Sequence, residues 1–593
     1  MESREKLIES LGEAQARSGR NWISPADVSE ASNRLGLSAA AVKGVASYYS
    51  MLSLEPRGRH VIRMCASPVC RMAGSLDLLA VARAASGAPV GGTDPSGAFT
   101  LETCQCLGRC AGAPAMTVDD RAYARLDADR VAAIITATAG ADGRPSGGYP
   151  EDGSAYAARI DVASGSPKVS LRYDLSDPAD SGEYGRAGGW AGLKAALAMP
   201  PDAVVEELSR AKVRGRGGAG FPTGQKERAA AGSACVEGRG CERFVVCNAD
   251  EGEPGTFKDR VIMERSPLLL LEGMLISAYA IGASRGFIYI RGEYGPAIAR
   301  VRAAVDSARR AGYLGPSVMG TAFSFDVELR LGAGSYLCGE ELTLIESLEG
   351  KRGYPRIKPP FPAEAGFRGR PTLVNNVETL SALPWVIERG ADAYLALGAA
   401  SSPGTKVFCL SGDVSRPGYG EWEMGVGLGE LIEAAGGAIG ADGRPAEKPL
   451  AVLLGGAAGT FVPGDALDLR MDYDSLKAAG ATLGSGAVIV LGPGRSVLDS
   501  VSAIMDFFAH ESCGKCVPCR VGTARLAASA RALAEKARDA GLRDAGLRDA
   551  DLRAGLEAMV ADAERIAKAS LCPLGQSPIL PLRSASTNLT NLH

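Results

Sequence analysis

The feature that most constrains this chain is its cysteine usage, because 593 residues contain fourteen cysteines and only three histidines. The histidines are scattered at positions 60, 510 and 593, so a histidine-rich zinc or non-haem iron site is not expected. Grouped cysteines in a chain without a secretory signal are more often metal ligands than disulfide partners. The pattern therefore predicts sites built from thiolates alone, which suit iron–sulfur clusters or structural zinc.

The C-terminal cysteine group has the spacing Cys513-x2-Cys516-x2-Cys519, and Cys572-Pro573 follows much later in the chain. Three thiolates converge from one tight turn, and a distant fourth thiolate followed by proline completes a set typical of [4Fe–4S] ligation. A four-cysteine zinc site is the alternative, but it usually takes two separated C-x2-C pairs. We therefore predict a [4Fe–4S] cluster on these four cysteines.

The N-terminal group consists of two pairs, Cys65-x4-Cys70 and Cys106-x3-Cys110, and each pair follows a predicted strand. Two such pairs can hold the two irons of a [2Fe–2S] cluster, and zinc remains the alternative. Cys104 is interpreted as a non-ligand, because the 106–110 turn has the glycine that a metal-binding loop needs. The other cysteines show no ligand spacing and are interpreted as small core residues: Cys235, Cys241, Cys247, Cys338 and Cys409.

Charge and hydropathy exclude several classes of protein. The net charge of −3 shows no basic excess, which argues against nucleic acid or an anionic membrane surface as a partner. No N-terminal stretch has the pattern of a signal peptide. The most apolar segment, residues 267–283, carries Glu272 and is interpreted as a buried helix rather than a membrane span. The chain is therefore predicted to be cytoplasmic.

The chain divides into segments that differ in composition and hydrophobic pattern. A usual domain length of ~150 residues predicts several domains. Strand candidates at 61–64, 244–247 and 287–290 alternate with helices, which indicates a multi-domain α/β protein. In chain order we predict an N-terminal helical segment (1–54), a small α/β domain (55–138), a linker rich in Gly, Ser, Asp and Pro (139–165), a larger α/β domain (166–398), a small β-rich domain (399–493) and a helical domain (494–593).

A glycine-rich segment at 214–226 carries five glycines, two arginines and a lysine. Such backbone can approach a phosphate or a flat ring closely. The segment fits neither the dinucleotide fingerprint nor a P-loop, and a flexible surface loop is the alternative. The strand at 244–247, however, delivers polar residues at its C-terminal end, where α/β domains bind ligands: Asn248, Asp250, Glu251 and Glu253. Because carboxylates accept hydrogen bonds from ribose hydroxyls, the combination predicts a flavin phosphate beside a ribose-bearing dinucleotide.

These motifs resemble one family closely. Residues 1–138 resemble the 24-kDa-type [2Fe–2S] subunit of respiratory complex I, with matches at 24–26, 47–49, 58–62 and 106–110. Residues 200–593 resemble the 51-kDa-type flavoprotein subunit, with matches at 215–224, 248–260, 339–341, 375–379 and 511–520. The fusion of both modules in one chain resembles the diaphorase subunit of NAD-reducing hydrogenases and the β subunit of some NAD-dependent formate dehydrogenases.

The resemblance implies a thioredoxin-like [2Fe–2S] domain, a Rossmann-like FMN and NADH domain, a ubiquitin-like (β-grasp-like) domain of the soluble-ligand-binding type, and a C-terminal helical bundle with the [4Fe–4S] cluster. It implies that FMN is held by Gly215, Arg216, Gly217, Gly218, Lys226, Asn248, Asp250, Tyr336, Gly339, Glu340, Asn375 and Asn376. NADH is expected near Phe221, Lys226, Glu251, Glu253, Glu341, Lys358 and Phe361, with Glu251 and Glu341 positioning the nicotinamide.

One departure from the family is visible in the segment after the glycine-rich loop. Family members commonly have Lys-Trp followed shortly by Phe, whereas this chain reads Lys226-Glu227-Arg228-Ala229. An aromatic side chain that helps to hold adenine is therefore expected to be absent. Weaker or altered NADH binding is the predicted consequence.

The resemblance implies an NAD(H)-dependent oxidoreductase subunit that works in either direction. A hydride passes between NADH and FMN, which requires no strong acid or base from the protein. Electrons then pass singly through the [4Fe–4S] cluster to iron–sulfur partner subunits of a hydrogenase or formate dehydrogenase, and the [2Fe–2S] centre serves as a side store or second exit. The alternatives are a flavoprotein subunit of respiratory complex I and a flavin-less relay or assembly subunit.

Overall fold

A computed structural model describes residues 4–139, 157–160, 162, 167–233, 242–541 and 548–588. Within these residues, three larger sheets and a C-terminal group of helices form the multi-domain α/β architecture that the sequence predicts. Cys247, Cys338 and Cys409 are buried, which confirms their interpretation as core residues. The same interpretation of Cys235 and Cys241 lies outside the described residues.

The N-terminal helices pack on the central domain rather than standing alone: α1 (Leu7–Arg17), α2 (Pro25–Leu35) and α3 (Ala39–Ala46). Helix α2 begins with a reciprocal cap, in which the Asp27 N–H donates to Ser24 Oγ at 3.2 Å and the Ser24 N–H donates to the Asp27 carboxylate at 2.8 Å. Leu11 shares a buried cluster with Val246 and Leu344 of the central domain. The N-terminal segment is thereby fixed to the larger α/β unit.

The first sheet has the strand order β2-β3-β1-β4-β5: β1 (His60–Cys65), β2 (Gly92–Thr93), β3 (Phe99–Cys104), β4 (Met116–Val118) and β5 (Arg121–Tyr123). Its helices are α4 (Pro68–Met72), α5 (Ser75–Ser86) and α6 (Ala128–Ala139). Strands β1 and β3 are parallel. Their C-terminal ends therefore lie at one edge of the sheet, and a cysteine pair is located at or just beyond each end.

The central sheet is parallel throughout and has the order β10-β7-β8-β9: β7 (Phe244–Ala249), β8 (Arg285–Ile290), β9 (Asp326–Leu331) and β10 (Thr372–Asn376). It is covered by α7 (Ser181–Arg186), α8 (Ala191–Leu197), α9 (Pro201–Arg210), α10 (Thr223–Gly232), α11 (Lys258–Arg265), α12 (Pro267–Ile281), α13 (Gly295–Arg310), α14 (Glu341–Leu348), α15 (Pro362–Ala365), α16 (Val377–Arg389) and α17 (Ala391–Leu395). Helix α12 is the buried helix predicted from the apolar segment. Its Glu272 accepts hydrogen bonds from the N–H groups of Trp190 at 3.1 Å and Leu193 at 2.9 Å.

The third sheet is mixed and has the order β16-β15-β17-β13-β14-β6: β6 (Ala158–Arg159), β13 (Thr405–Gly412), β14 (Gly418–Glu423), β15 (Ala451–Leu454), β16 (Thr460–Pro463) and β17 (Ala487–Leu491). The ribbon of β11 (Gly398–Ala399) and β12 (Ser402–Pro403) and the helices α18 (Leu428–Ala434) and α19 (Tyr473–Ala478) complete this region. Strand β6 comes from the stretch interpreted as a linker, and the Ile160 N–H donates to the Tyr419 carbonyl at 2.7 Å. A two-residue edge strand has no periodicity of its own, so the composition of that stretch did not predict it.

The C-terminal region is helical and consists of α20 (Val497–Glu511), α21 (Val517–Gly541), α22 (Arg548–Ala569), α23 (Pro573–Gln576) and α24 (Ile579–Asn588). Across the described part of the chain, no helix combines the length and the apolar character that a membrane span requires. The largest buried cluster contains Cys110, Leu270, Ile489 and Phe507. The first sheet region, the central domain, the third sheet and the C-terminal helices therefore share one continuous core.

Candidate functional site

A cavity of about 610 Å³ opens at the C-terminal edge of the central sheet. Strands β7 and β10 end there, and their parallel register places Asn376 beside Asn248. The Asn248 side chain donates to the Gly339 carbonyl at 2.8 Å, which ties the end of β7 to the turn before α14. The glycine-rich loop forms the facing wall through Gly215 and Gly217. This is the edge at which parallel α/β sheets bind ligands.

Twelve of the predicted cofactor residues line this cavity, and they come from five separate stretches of the chain: Gly215, Gly217, Phe221, Lys226, Asn248, Gly339, Glu340, Glu341, Lys358, Phe361, Asn375 and Asn376. The wall also includes residues that were not among the predicted cofactor residues, such as Gln225, Ala229, Thr379 and Pro573. Two of them had a usable sequence signal, because Thr379 ends the 375–379 match and Pro573 directly follows a predicted cluster cysteine.

Six predicted residues do not line the cavity: Arg216, Gly218, Asp250, Glu251, Glu253 and Tyr336. Arg216 is buried in the core, where its guanidinium donates to the Pro403 carbonyl at 3.0 Å and the Tyr394 hydroxyl at 3.2 Å. Gly218 adopts a φ of 129°, in the region that favours glycine. Consecutive residues of the loop therefore face different sides, which glycine content alone could not predict.

The acids that follow β7 are engaged by the protein rather than by the cavity. The Glu251 carboxylate accepts hydrogen bonds from the N–H groups of Asp259 at 2.8 Å and Arg260 at 3.1 Å, at the start of α11. Burial raises the pKa of Glu251 to about 7, and burial also raises the pKa of Asp250 well above its usual value. In this arrangement Glu251 shapes the loop behind the cavity.

Glu253 and Tyr336 form a second contact outside the cavity wall. The Tyr336 hydroxyl donates to Glu253 at 2.6 Å, and the Ala458 N–H donates to the other carboxylate oxygen at 2.9 Å. The Tyr336 N–H donates to Glu511, the last residue of α20, at 3.0 Å. Burial raises the pKa of Glu253 to about 7. The pair therefore joins the central domain to the third sheet and to the helical region.

Two lysines and two glutamates form a charged cluster at the mouth of the cavity. Lys226 Nζ lies 3.1 Å from Glu341, and Lys358 Nζ lies 2.8 Å from Glu340 and 2.8 Å from Glu341. Burial would raise the pKa of Glu341, but the two lysine ammonium groups outweigh it and lower that pKa. The cluster therefore offers both ammonium donors for phosphate and ionised carboxylate acceptors for ribose hydroxyls.

Two aromatic rings flank the same opening. Phe221 and Phe361 line the cavity and are 47% and 51% exposed, respectively. Their faces offer flat apolar surfaces for a nucleotide base or a nicotinamide ring. Ala229 lines the cavity close to where an aromatic is expected from the family resemblance. Glu227 instead lies fully buried on the inner side of α10 and accepts a hydrogen bond from Ser277 Oγ of α12 at 2.7 Å.

The wall nearest the strand ends fits a flavin mononucleotide. Asn375 Nδ2 is buried without a hydrogen-bond partner in the described part of the chain, and an acceptor on a bound ligand would satisfy it. A Cβ atom on Gly217 would lie only 3.2 Å from the Asn376 side chain, so glycine keeps the cavity wide there. Asn376 is held by Lys258 Nζ at 3.2 Å and by the Asp259 carboxylate at 2.6 Å. The fixed amide of Asn376, the Asn375 donor without a partner among the described residues and the glycine-lined wall together suit a phosphate group and a flat ring.

The C-terminal cysteines converge on one site beside this cavity. Cys513 and Cys516 lie in the turn between α20 and α21, Cys519 lies in the first turn of α21, and Cys572 precedes α23. Burial, and then the charges of Cys513 and Cys519, raise the pKa of Cys572 to about 12. Pro573 lines the cavity, so the two sites share a wall. The fold thus brings the distant fourth cysteine near Cys513 and Cys519.

The N-terminal cysteines form a second site, in which Cys106 and Cys110 thiols lie 3.5 Å apart. All four predicted ligands are buried, with exposures between 1% and 3%. The hydrogen bond with Cys70 lowers the pKa of Cys65 to about 6, which is the direction that favours a thiolate ligand. Cys104 lies opposite Cys65 in the register of β1 and β3. Its assignment as a non-ligand stays a prediction.

Three family models match successive parts of the chain. Residues 1–139 match the thioredoxin-like [2Fe–2S] ferredoxin, residues 208–385 match the Nuo51 FMN-binding domain, and residues 499–591 match the NADH-ubiquinone oxidoreductase-F iron–sulfur binding region. These matches agree with the two cysteine sites and with the cavity between them. They favour iron–sulfur clusters over the zinc alternatives at both sites.

Known proteins resemble the chain over most of its length. The F 2 subunit of NADH-quinone oxidoreductase from Rhizobium meliloti is 47% identical over 60% of this chain and 83% of the relative. The alpha subunit of NAD-reducing hydrogenase HoxS from Cupriavidus necator is 35% identical over 88% of this chain and 83% of the relative. A crystal structure of NAD⁺-reducing [NiFe]-hydrogenase in the H₂-reduced state superposes with a TM-score of 0.81 at 32% identity, covering 100% of this chain and 93% of that chain. The protein therefore belongs to the family of flavin- and iron–sulfur-binding, NAD(H)-dependent oxidoreductase subunits found in NADH-quinone oxidoreductases and NAD-reducing hydrogenases.

Proposed function

We propose that this chain is the NAD(H)-converting subunit of a cytoplasmic NAD-reducing hydrogenase complex. The proposal rests mainly on the extent of the sequence similarity, because the hydrogenase relative aligns with 88% of this chain, whereas the NADH-quinone oxidoreductase relative aligns with 60% of it. The [2Fe–2S] match at 1–139 and the flavin and [4Fe–4S] matches lie in one polypeptide. A single fused chain of this kind supports the hydrogenase assignment.

The residues at the mouth of the cavity bind and orient the dinucleotide. Phe221 and Phe361 provide stacking faces, Lys226 and Lys358 donate to the pyrophosphate, and Glu341 accepts from ribose hydroxyls. When bound, FMN supplies the redox chemistry by exchanging a hydride with the nicotinamide and passing electrons singly. No side chain has to act as a strong acid or base, so the protein's contribution is to hold two rings in a fixed orientation.

The [4Fe–4S] site is the proposed first exit for electrons. Pro573 lines the cavity and directly follows Cys572 in the chain, so this cysteine lies next to the cavity wall. The cysteines of the [2Fe–2S] site are absent from the cavity wall. They lie behind the loop that Glu251 organises, since Arg260 donates to the Gly108 carbonyl at 3.1 Å. That position suits a side store or a second exit rather than the main path.

Copurification with a tagged full-length chain tests the assignment directly. We expect the isolated complex to contain FMN and to reduce NAD⁺ with H₂ as the electron donor. Formate-dependent NAD⁺ reduction without H₂-dependent activity would instead indicate a formate dehydrogenase. NADH-dependent quinone reduction in a membrane complex would indicate the respiratory alternative, which the identity of 47% to an NADH-quinone oxidoreductase relative keeps as the second candidate. A chain without flavin and inert to NADH would leave only the relay function.

A further inference from the structure

The [2Fe–2S] site is enclosed by the flavin domain as well as by its own domain. Arg260 Nε donates to the carbonyl of Gly108, inside the turn that carries Cys106 and Cys110, at 3.1 Å. A Cβ atom on Gly108 would overlap the ring of Tyr294, so the turn is packed tightly against the residues that follow β8. The thiols themselves are at most 3% exposed. Water is therefore largely excluded from the ligands on the side of the domain interface.

Buried arginines surround this turn. Arg260 forms a two-pronged ion pair with Glu264 at 3.1 and 2.9 Å, and Arg109 Nη1 lies 3.7 Å from the same carboxylate. Arg291 pairs with Glu293 at 2.9 Å. The side chains of the three arginines are between 1% and 8% exposed. Two of these buried guanidinium groups, those of Arg260 and Arg291, belong to the flavin domain and lie beside the turn.

Two further buried acids, Asp250 and Glu251, contact the same arginines. Asp250 lies 3.9 Å from Arg291, and burial raises its pKa well above the usual value. Glu251 accepts a hydrogen bond from the Arg260 N–H at 3.1 Å and is also buried. Arg291 Nη1 donates to the Glu251 carbonyl at 2.8 Å, which fixes the guanidinium in place. Arg260 and Arg291 are thus held next to the turn by several oriented contacts.

An iron–sulfur cluster at this position would interact strongly with the positive charges of Arg260 and Arg291. Four thiolates around two irons leave the site negative, and each added electron makes it more negative. A buried negative charge is destabilised by the loss of water unless positive groups compensate it. Arg291 reaches the same turn through Tyr294, because its guanidinium carbon lies 5.2 Å from the centroid of the ring that packs against Gly108.

We propose that the flavin domain sets the reduction potential of the [2Fe–2S] cluster through Arg260 and Arg291, two positioning residues that stabilise the added electron across the domain interface. This inference goes beyond the proposed function, because it holds whichever partner accepts or supplies the electrons. It rests on the [2Fe–2S] identity of the N-terminal module.

The test is an EPR-monitored redox titration of the cofactor-loaded full-length chain. Arg260→Gln and Arg291→Gln should each make the [2Fe–2S] midpoint potential more negative, by an amount equivalent to about a tenfold change in the reduction equilibrium, or ~59 mV for one electron. Glu264→Gln and Glu293→Gln should shift it in the opposite direction, because each removes a negative charge. Arg300→Gln, on an arginine that is 50% exposed, is the control that should cause no shift.

A non-electrostatic effect of the substitutions would move the arginine and glutamate variants in the same direction, and that result would overturn the proposal. An unchanged midpoint in either arginine variant with an intact [2Fe–2S] signal would also overturn it. If the arginine variants lose the cluster, the two glutamate variants decide the matter, since a midpoint that does not rise contradicts the electrostatic account. Flavin content and NADH-dependent bleaching of the same samples report on the proposed function separately.

Discussion

Glu227 provides the sharpest prediction, because it is a fully buried acid whose one side-chain partner among the described residues is Ser277. Burial raises the pKa of Glu227 from 4.5 to about 8. The folded state therefore binds a proton that the unfolded state releases above pH 4.5, so stability falls as the pH rises to about 8 and is constant beyond it. At 1.36 kcal/mol per pH unit, the loss is ~3 kcal/mol at pH 7 and ~5 kcal/mol above pH 8.

Glu227→Gln keeps the shape and the acceptor for Ser277 but has no charge to desolvate. We expect the variant to match the parent near pH 4.5 and to be more stable by ~3 kcal/mol at pH 7. For a domain of roughly 150–250 residues, this corresponds to an increase in transition temperature of about 6–12 °C. Because a multi-domain chain does not unfold in two states, the transition of the flavin domain is followed by the release of FMN fluorescence.

The matched control is Glu206→Gln, on a glutamate whose side chain is 61% exposed and which pairs with Arg228 on the surface. This substitution should change stability by less than ~1 kcal/mol, without a trend in pH. The reasoning about Glu227 is refuted if Glu227→Gln is no more stable than the parent at pH 8. It is also refuted if the stability difference is the same at pH 5 and pH 8.

Three further predictions concern the site. Cys516→Ser should abolish the reduced [4Fe–4S] EPR signal and retain flavin, whereas Cys338→Ser, at a buried cysteine outside the group, should retain both; an unchanged spectrum in the first variant contradicts the ligand assignment. Lys358→Gln should raise KM for NADH about tenfold with little change in kcat, because a charge at the mouth holds substrate and transition state equally; a fall in kcat at constant KM argues against that role. Glu378→Gln leaves two buried lysines without their shared carboxylate, and the expected loss of ~3–5 kcal/mol should appear as an earlier thermal transition, with an unchanged melting curve as the contrary result.

Local sequence patterns determined the chemistry of this protein. Cys513, Cys516 and Cys519 lie close together in the sequence, and predicted ligands so near one another can converge without distant contacts. The glycine-rich loop and the strand before Asn248 likewise placed a ligand site at the edge of an α/β sheet, because parallel strands end at a common edge. The alternation of strands and helices was enough to predict the multi-domain α/β class, and the resemblance to a known family supplied the cofactors.

Tertiary structure alone decided which way individual side chains face and what charges they meet. Arg216 lies in the same loop as Gly217 but is buried against Tyr394 and Pro403, and Glu251 supports a helix instead of lining the cavity. Such orientations depend on partners that are distant in the sequence, which no local period or spacing encodes. The same reason explains why the burial of Glu227 and the arginines around the [2Fe–2S] turn became visible only when the domains were packed together.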